Sequence, residues 1–219
     1  MINNIDFDHV DIFSNVDQII WQFHQLLRTL SPQTKIVANG DDLNIQKLFA
    51  LGVWSEIDYF GSSFSDSQKW TCVLDDHGQY NLSRKGKKLE TIHSKLFGHH
   101  NMLNVTAAIA SLSNLGLNPR ELMASAQNFI GVKRRLEYLG KFSNIHLFDD
   151  FAHHPTAIKA SMAAMKSKFH SSRLYAVVEL ASNTMRKGSL KSDLKESFHD
   201  ADFVWILDFG DAEWDIQKE

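Results

Sequence analysis

Apolar and polar positions alternate along this chain with two different periods, and each change of period marks an element. Val16, Ile19, Phe23, Leu26, Leu27 and Leu30 recur at helical spacing, which predicts a helix that Pro32 ends. Ser14, with Asp17 three positions on, reads as a capping-box start. A short strand over 35–38 follows, then the turn Asn39-Gly40-Asp41-Asp42. A second helix is predicted over 43–51, with Gly52 past its end. From Trp54 to Leu96 the period is that of β-structure, with strands over 57–60, 70–74, 80–84 and 89–93. The Ser-rich stretch 61–68 reads as a loop.

Gly98-His99-His100-Asn101 opens a further helix whose buried face is Met102, Val105, Ile109 and Leu112, with Ala107, Ala108 and Ala110 letting a neighbour approach closely. Pro119 starts another, to about 129. The stretch Gly131-Val132-Lys133-Arg134-Arg135-Leu136 is the candidate boundary between two domains, 1–132 and 133–219. Beyond it the pattern reads strand 136–142, strand 145–150, helix 155–169, strand 174–178, helix 190–198 and strand 203–207. Such alternation predicts an α/β fold with a parallel, doubly wound sheet, about half of one. Ile145, Leu147 and Phe148 have the look of a buried strand. Ile158, Met162, Met165 and Phe169 mark one face of the helix that Pro155 begins.

Composition narrows the function classes. The chain has 219 residues, 43% hydrophobic and 22% charged, ordinary values for a globular protein of one large or two small domains. A net charge of −3 gives no electrostatic reason to expect a nucleic-acid partner. The single cysteine, Cys72, cannot form an internal disulfide, and the expected compartment is a reducing cytoplasm. No apolar run reaches membrane-spanning length. Asp6, Asp8, Asp11 and Asp17 are the wrong flank for a signal peptide. Both ends read as cut, so a fragment of a longer protein is expected.

No G-x-x-x-x-G-K-[ST] loop, G-x-G-x-x-G, C-x-x-C or H-E-x-x-H occurs. What the chain carries are dispersed parts of a site. The densest is the strand-to-helix turn Asp149-Asp150-Phe151-Ala152-His153-His154-Pro155. In an open parallel sheet that edge is where ligands bind. Asp150 and His154 would equally suit simple helix capping. A metal-dependent phosphoesterase using Asp149, Asp150, His153 and His154 is another reading, since clustered Asp and His can hold two metals.

Five segments, taken together and in order, resemble the Mur ligases. They are Asp8-His9-Val10-Asp11, Gly98-His99-His100-Asn101-Met102-Leu103-Asn104-Val105-Thr106-Ala107-Ala108, Arg134-Arg135-Leu136-Glu137, Asp149-Asp150-Phe151-Ala152-His153-His154-Pro155-Thr156-Ala157-Ile158 and Ser182-Asn183-Thr184-Met185-Arg186. The resemblance spans essentially the whole chain. It implies part of the central ATPase domain followed by a truncated Rossmann-like C-terminal domain with a parallel sheet. The implied activity is ATP-dependent: the tripeptide L-Ala-γ-D-Glu-meso-diaminopimelate is joined to UDP-N-acetylmuramate through an acyl phosphate, in peptidoglycan recycling. A sister activity such as UDP-N-acetylmuramate–L-alanine ligase, or a non-catalytic module derived from a ligase, are the alternatives.

The resemblance also implies roles. His9 is the metal ligand; Mg²⁺ prefers oxygen, so an imidazole suits Mn²⁺ better. Asn101 contacts adenine, with Asn104 beside it, although Asn101 would also serve as a helix N-cap. Arg135 reaches the ATP phosphates, for which a guanidinium is well shaped, while Lys133 and Arg134 read as its solvated neighbours. Asp150 contacts the ribose. Arg135 and His154 form the catalytic set, and His153, Ser182, Asn183, Thr184 and Arg186 face the tripeptide. The family's phosphate-binding loop and its UDP-binding domain are expected before Met1, and the chain alone is expected to ligate nothing. Two departures stand out. Glu179-Leu180-Ala181 replaces the family's usual Glu-Pro-Arg. No lysine precedes Lys35, and His24 stands near the place where sister ligases carry a carbamylated lysine.

Overall fold

A computed structural model describes residues 1–62, 68–207, 210 and 212–215. The described chain divides into two units. The first comprises Met1–Phe7, Phe13–Leu96 and His100–Phe129; the second comprises Asp8–Ile12, Phe97–His99 and Ile130–Glu219. The predicted loop at 61–68 lies largely outside the described residues.

The first unit contains α1 (Val16–Arg28), β1 (Lys35–Asn39), α2 (Leu43–Ala50), β2 (Glu56–Gly61), β3 (Gln68–Leu74), β4 (Tyr80–Arg84), β5 (Lys87–Thr91), α3 (His99–Ser113) and α4 (Pro119–Asn128). Its five strands form one sheet in sequence order. β1, β2 and β3 run parallel, and β3, β4 and β5 form an antiparallel meander. β1 is covered on both faces. Ile36 and Ala38 join Ile20, Leu27, Ile45 and Leu48 from α1 and α2. Val37 points the other way, into a cluster with Phe60, Trp70, Leu82, Met102, Val105 and Ile109. This alternation is the period of a strand buried on both sides.

Local chemistry shifts several expected boundaries. The N-cap of α1 is Asn15, whose side chain accepts from the Gln18 backbone N–H; Gln18 Oε1 in turn accepts from the Ser14 N–H at 2.9 Å. Asn15 is thus the cap, Gln18 reaches back to the backbone of Ser14, and Ser14 with Asp17 is not the box. Asn is among the residues preferred at an N-cap. α1 ends at Arg28, before Pro32. On α3, Leu112 is 39% exposed, and Thr106, Ala107 and Ala110 are buried in its stead. Small residues let that face approach the sheet closely, so the buried stripe rotates toward them.

The second unit contains β6 (Glu137–Phe142), β7 (Ile145–Asp149), α5 (Pro155–Lys168), β8 (Tyr175–Glu179), α6 (Asn183–Arg186), α7 (Lys191–Ser197) and β9 (Phe203–Leu207). β8 and β9 pair in parallel, as the α/β alternation requires. β6 and β7 instead pair antiparallel with each other as a separate hairpin. A short turn between two strands allows only that pairing. β7 is therefore not a buried strand: Ile145 is 67% and Leu147 46% exposed. The apolar core of this unit gathers Ile158, Ala176, Leu180, Met185, Leu194 and Phe198. Tyr175, Phe203 and Trp205 stack on the outer face of β8 and β9, with Tyr175 and Phe203 only 7° from parallel.

Candidate functional site

Asn101 and Asn104 lie in the first unit, on α3. Because α3 begins at His99, Asn101 is inside the helix and is not its N-cap. Asn104 is exposed one turn on, and its Oδ1 accepts from Asn3 Nδ2 at 2.9 Å. His24, on α1, packs its ring 6.1 Å from that of Trp54. Its Nε2 is buried without a hydrogen-bond partner among the described residues.

The second unit carries the remaining candidates. Just before β6, Arg134 and Leu136 both have positive φ, 57° and 49°, which kinks the chain. Arg134 receives the Phe151 N–H on its carbonyl at 2.8 Å and gives its own N–H to Glu137 Oε2 at 2.9 Å. These bonds seat the Arg134–Arg135 pair against the turn after β7. There the two guanidinium groups lie 5.1 and 5.7 Å from the Phe151 ring centre, within cation–π range. Arg134 Nε is 3.4 Å from Asp149 Oδ2. Arg135 has no ion pair among the described residues. It is exposed, which suits a guanidinium held ready for an anion.

The turn itself distributes its four polar side chains among different partners. Asp150 Oδ2 accepts from the Ser161 hydroxyl on α5. His153 Nδ1 sits 2.9 Å from the Phe151 carbonyl oxygen, so it carries the proton there. His154 is the N-cap of α5, its Nδ1 accepting from the Thr156 N–H at 3.3 Å. The capping role for His154 therefore holds, while Asp150 binds a side chain about two turns into α5. Among the described residues no group of three or more His, Cys, Asp or Glu could hold a metal. The two-metal phosphoesterase reading loses its ligand set.

The loop at 8–12 belongs to this unit. His9 has φ 56° and a side chain 68% exposed, with Nε2 3.9 Å from Asp8 Oδ2. Burial raises the Asp8 carboxyl pKa. The Thr184 hydroxyl, the His9 N–H and the His9 and His154 rings together outweigh that and hold it below the usual carboxylate range. One imidazole nitrogen beside one carboxylate oxygen cannot cage a divalent cation. They do suit Mg²⁺ or Mn²⁺ that takes its other ligands from phosphate and water.

After β8 the chain turns into the short helix α6. Ser182 caps it, accepting from the Met185 N–H at 3.3 Å. Asn183 is exposed. Arg186 turns back to donate through Nε to the Leu180 carbonyl at 3.1 Å. Thr184, expected to face a substrate, is only 1% exposed, with its hydroxyl given to Asp8. Thr184 is thereby corrected from a substrate contact to a buried donor. Sequence reasoning missed this bond because its partners stand 176 positions apart. Leu180 fills the core, and Ala181 is short and exposed.

With the geometry in view, the class is defined: this chain belongs to the Mur ligase family. The Mur ligase middle domain matches residues 1–112 and the Mur ligase, glutamate ligase domain matches residues 134–219. The chain is 36% identical, over its whole length, to the UDP-N-acetylmuramate–L-alanyl-γ-D-glutamyl-meso-2,6-diaminoheptandioate ligase of Escherichia coli K12, and covers 48% of that protein. It is 32% identical to the ligase of the same name from Haemophilus influenzae, over 99% of this chain and 48% of that one. The crystal structure of a murein peptide ligase from Psychrobacter arcticus matches 91% of this chain and 42% of its own, with a TM-score of 0.66 at 32% identity. The chain spans about half the length of the curated relatives it matches.

Proposed function

We propose that this chain contributes part of an ATP-dependent ligase that joins L-Ala-γ-D-Glu-meso-diaminopimelate to UDP-N-acetylmuramate through an acyl phosphate, in cytoplasmic peptidoglycan recycling. On this reading residues 1–132 are the latter part of the central ATP-binding domain and 133–219 the first part of the C-terminal domain. The observation that carries it is the Arg134–Arg135 pair, seated on Phe151 beside Asp149. Phosphoryl transfer concentrates negative charge, and its catalysis is mostly positioning and electrostatic stabilisation. Arg135 supplies a guanidinium to the phosphates, while Arg134 is the neighbour that Asp149 neutralises and orients.

Asn101 and Asn104 are proposed to meet the nucleotide from α3, and Asp150, through the oxygen not taken by Ser161, the ribose. His9 stands at the divalent cation, with Asp8 beside it. His153 and His154 line the acceptor side, where Ser182, Asn183 and Arg186 contact the tripeptide. ATP, when bound, supplies the phosphoryl group that activates the muramate carboxylate.

The test is a nucleotide titration of the intact protein. Arg135→Ala should weaken ATP binding by about tenfold or more, the scale of a lost charge-assisted hydrogen bond. Arg135→Lys should restore it only in part, because an ammonium cannot bind bidentately. Unchanged ATP affinity in Arg135→Ala contradicts the assignment. Product formation with the tripeptide but not with free L-alanine separates this reading from the sister activity.

A further inference from the structure

Thr184 is 1% exposed, and its Oγ1 donates to Asp8 Oδ1 at 2.5 Å. The same oxygen accepts the His9 backbone N–H at 2.8 Å. Asp8 Oδ1 thus ties the Thr184 hydroxyl to the backbone of His9. His9 has a φ of 56°, in the left-handed region that non-glycine residues adopt uncommonly, and the bond from its N–H to Asp8 helps to hold it there. The turn closes with the Ile12 N–H on the His9 carbonyl at 2.8 Å.

The mount on the other side is held by several hydrogen bonds. Ser182 caps α6, and Trp214 Nε1 donates to the Met185 carbonyl at 2.9 Å. The Glu213 N–H reaches the Arg186 carbonyl at 2.8 Å. Ser182, Met185 and Arg186, on either side of Thr184, are each held by a hydrogen bond, and the Thr184 hydroxyl points to Asp8.

We infer that Thr184 is a positioning residue: through Asp8 it fixes the backbone of His9 and so sets where the His9 imidazole stands. The inference deepens, and rests on, the reading of His9 as the residue beside the divalent cation. The Thr184 hydroxyl also occupies Oδ1 and leaves Asp8 Oδ2 as the oxygen near His9 Nε2. An imidazole nitrogen and a carboxylate oxygen are thereby presented side by side, an arrangement suited to Mn²⁺ or Mg²⁺.

Two readouts on the intact protein test this: Mn²⁺ titration followed by electron paramagnetic resonance, and hydrogen exchange of the 8–12 backbone. Thr184→Val keeps the volume and removes the donor; Asp8→Ala, at a half-buried position, removes the acceptor without opening the core. Both variants should speed exchange at His9 and Ile12 at least tenfold and weaken Mn²⁺ binding by about the same factor. Exchange in α5 should not change. Thr184→Ser keeps a hydroxyl and should restore both properties. Native-like exchange at 8–12 in both Thr184→Val and Asp8→Ala overturns the inference. So does unchanged Mn²⁺ affinity in those variants when His9→Ala weakens it. If exchange rises as expected but His9→Ala leaves Mn²⁺ binding intact, the anchoring stands and the metal reading of His9 fails.

Discussion

Lys69 Nζ lies 2.7 and 2.6 Å from the two carboxylate oxygens of Asp58, joining β3 to β2 where both side chains are largely shielded from water. The register between these parallel strands slips nearby, between Tyr59 and Phe60. Taking one partner away leaves the other charged and buried. Asp58→Ala should lower the stability of the first unit by about 3–5 kcal/mol, the scale for breaking a buried pair. Urea denaturation followed by far-ultraviolet circular dichroism measures it; a loss below about 1 kcal/mol, the range of surface pairs, contradicts the burial argument.

Cys72 sits on β3 with no exposed surface. Burial pushes its thiol pKa up to about 11, against a smaller lowering by the Thr106 hydroxyl. Thiolate is the reactive form, so the folded protein should resist iodoacetamide at pH 8 and label only as fast as the first unit opens. Labelling at the rate of a free thiol without denaturant contradicts this.

Asp202 closes the start of β9. Its carboxylate accepts the Leu174 N–H at 2.7 Å and lies 3.2 Å from Lys166 Nζ. These partners, the Leu174 N–H first, hold its pKa below the ordinary 3.8. A carboxyl whose folded pKa is depressed adds stability that is present above its unfolded value and lost as pH falls through the folded one. The urea midpoint should therefore drop as pH is lowered from about 4 downward, and Asp202→Asn should flatten that part of the curve. An unchanged slope in Asp202→Asn removes Asp202 from the acid response.

Much of the fold was legible because periodicity reports burial. α1, α2, β3, β4, α4, α5 and β9 lie within a residue or two of their predicted positions, each with a cap or an alternation to mark it. The misreadings share one cause: the sequence shows apolarity, and burial depends on what covers it. Ile145 and Leu147 read as core, yet they belong to a two-stranded hairpin and stand exposed. Leu112 read as part of the buried face of α3 and is 39% exposed, while Ala107 and Ala110, read as places of close approach, are buried. At the candidate site the His154 cap was legible because it directly precedes Pro155 at the helix start, whereas the seat of Arg134 on Phe151 beside Asp149 was not, since Arg134 read as a solvated neighbour. The bond from Thr184 to Asp8 was not, since no local pattern joins residues so distant in the chain.

The central claim is that Arg135 serves a phosphoryl transfer to the muramate carboxylate. UDP-N-acetylmuramate labelled with ¹⁸O in that carboxylate, incubated with the intact protein, ATP and the tripeptide, tests it most directly. Transfer of one ¹⁸O to the released inorganic phosphate is the predicted result, with its rate falling at least tenfold in Arg135→Ala. Phosphate released without ¹⁸O, or at an undiminished rate in that variant, would contradict the account.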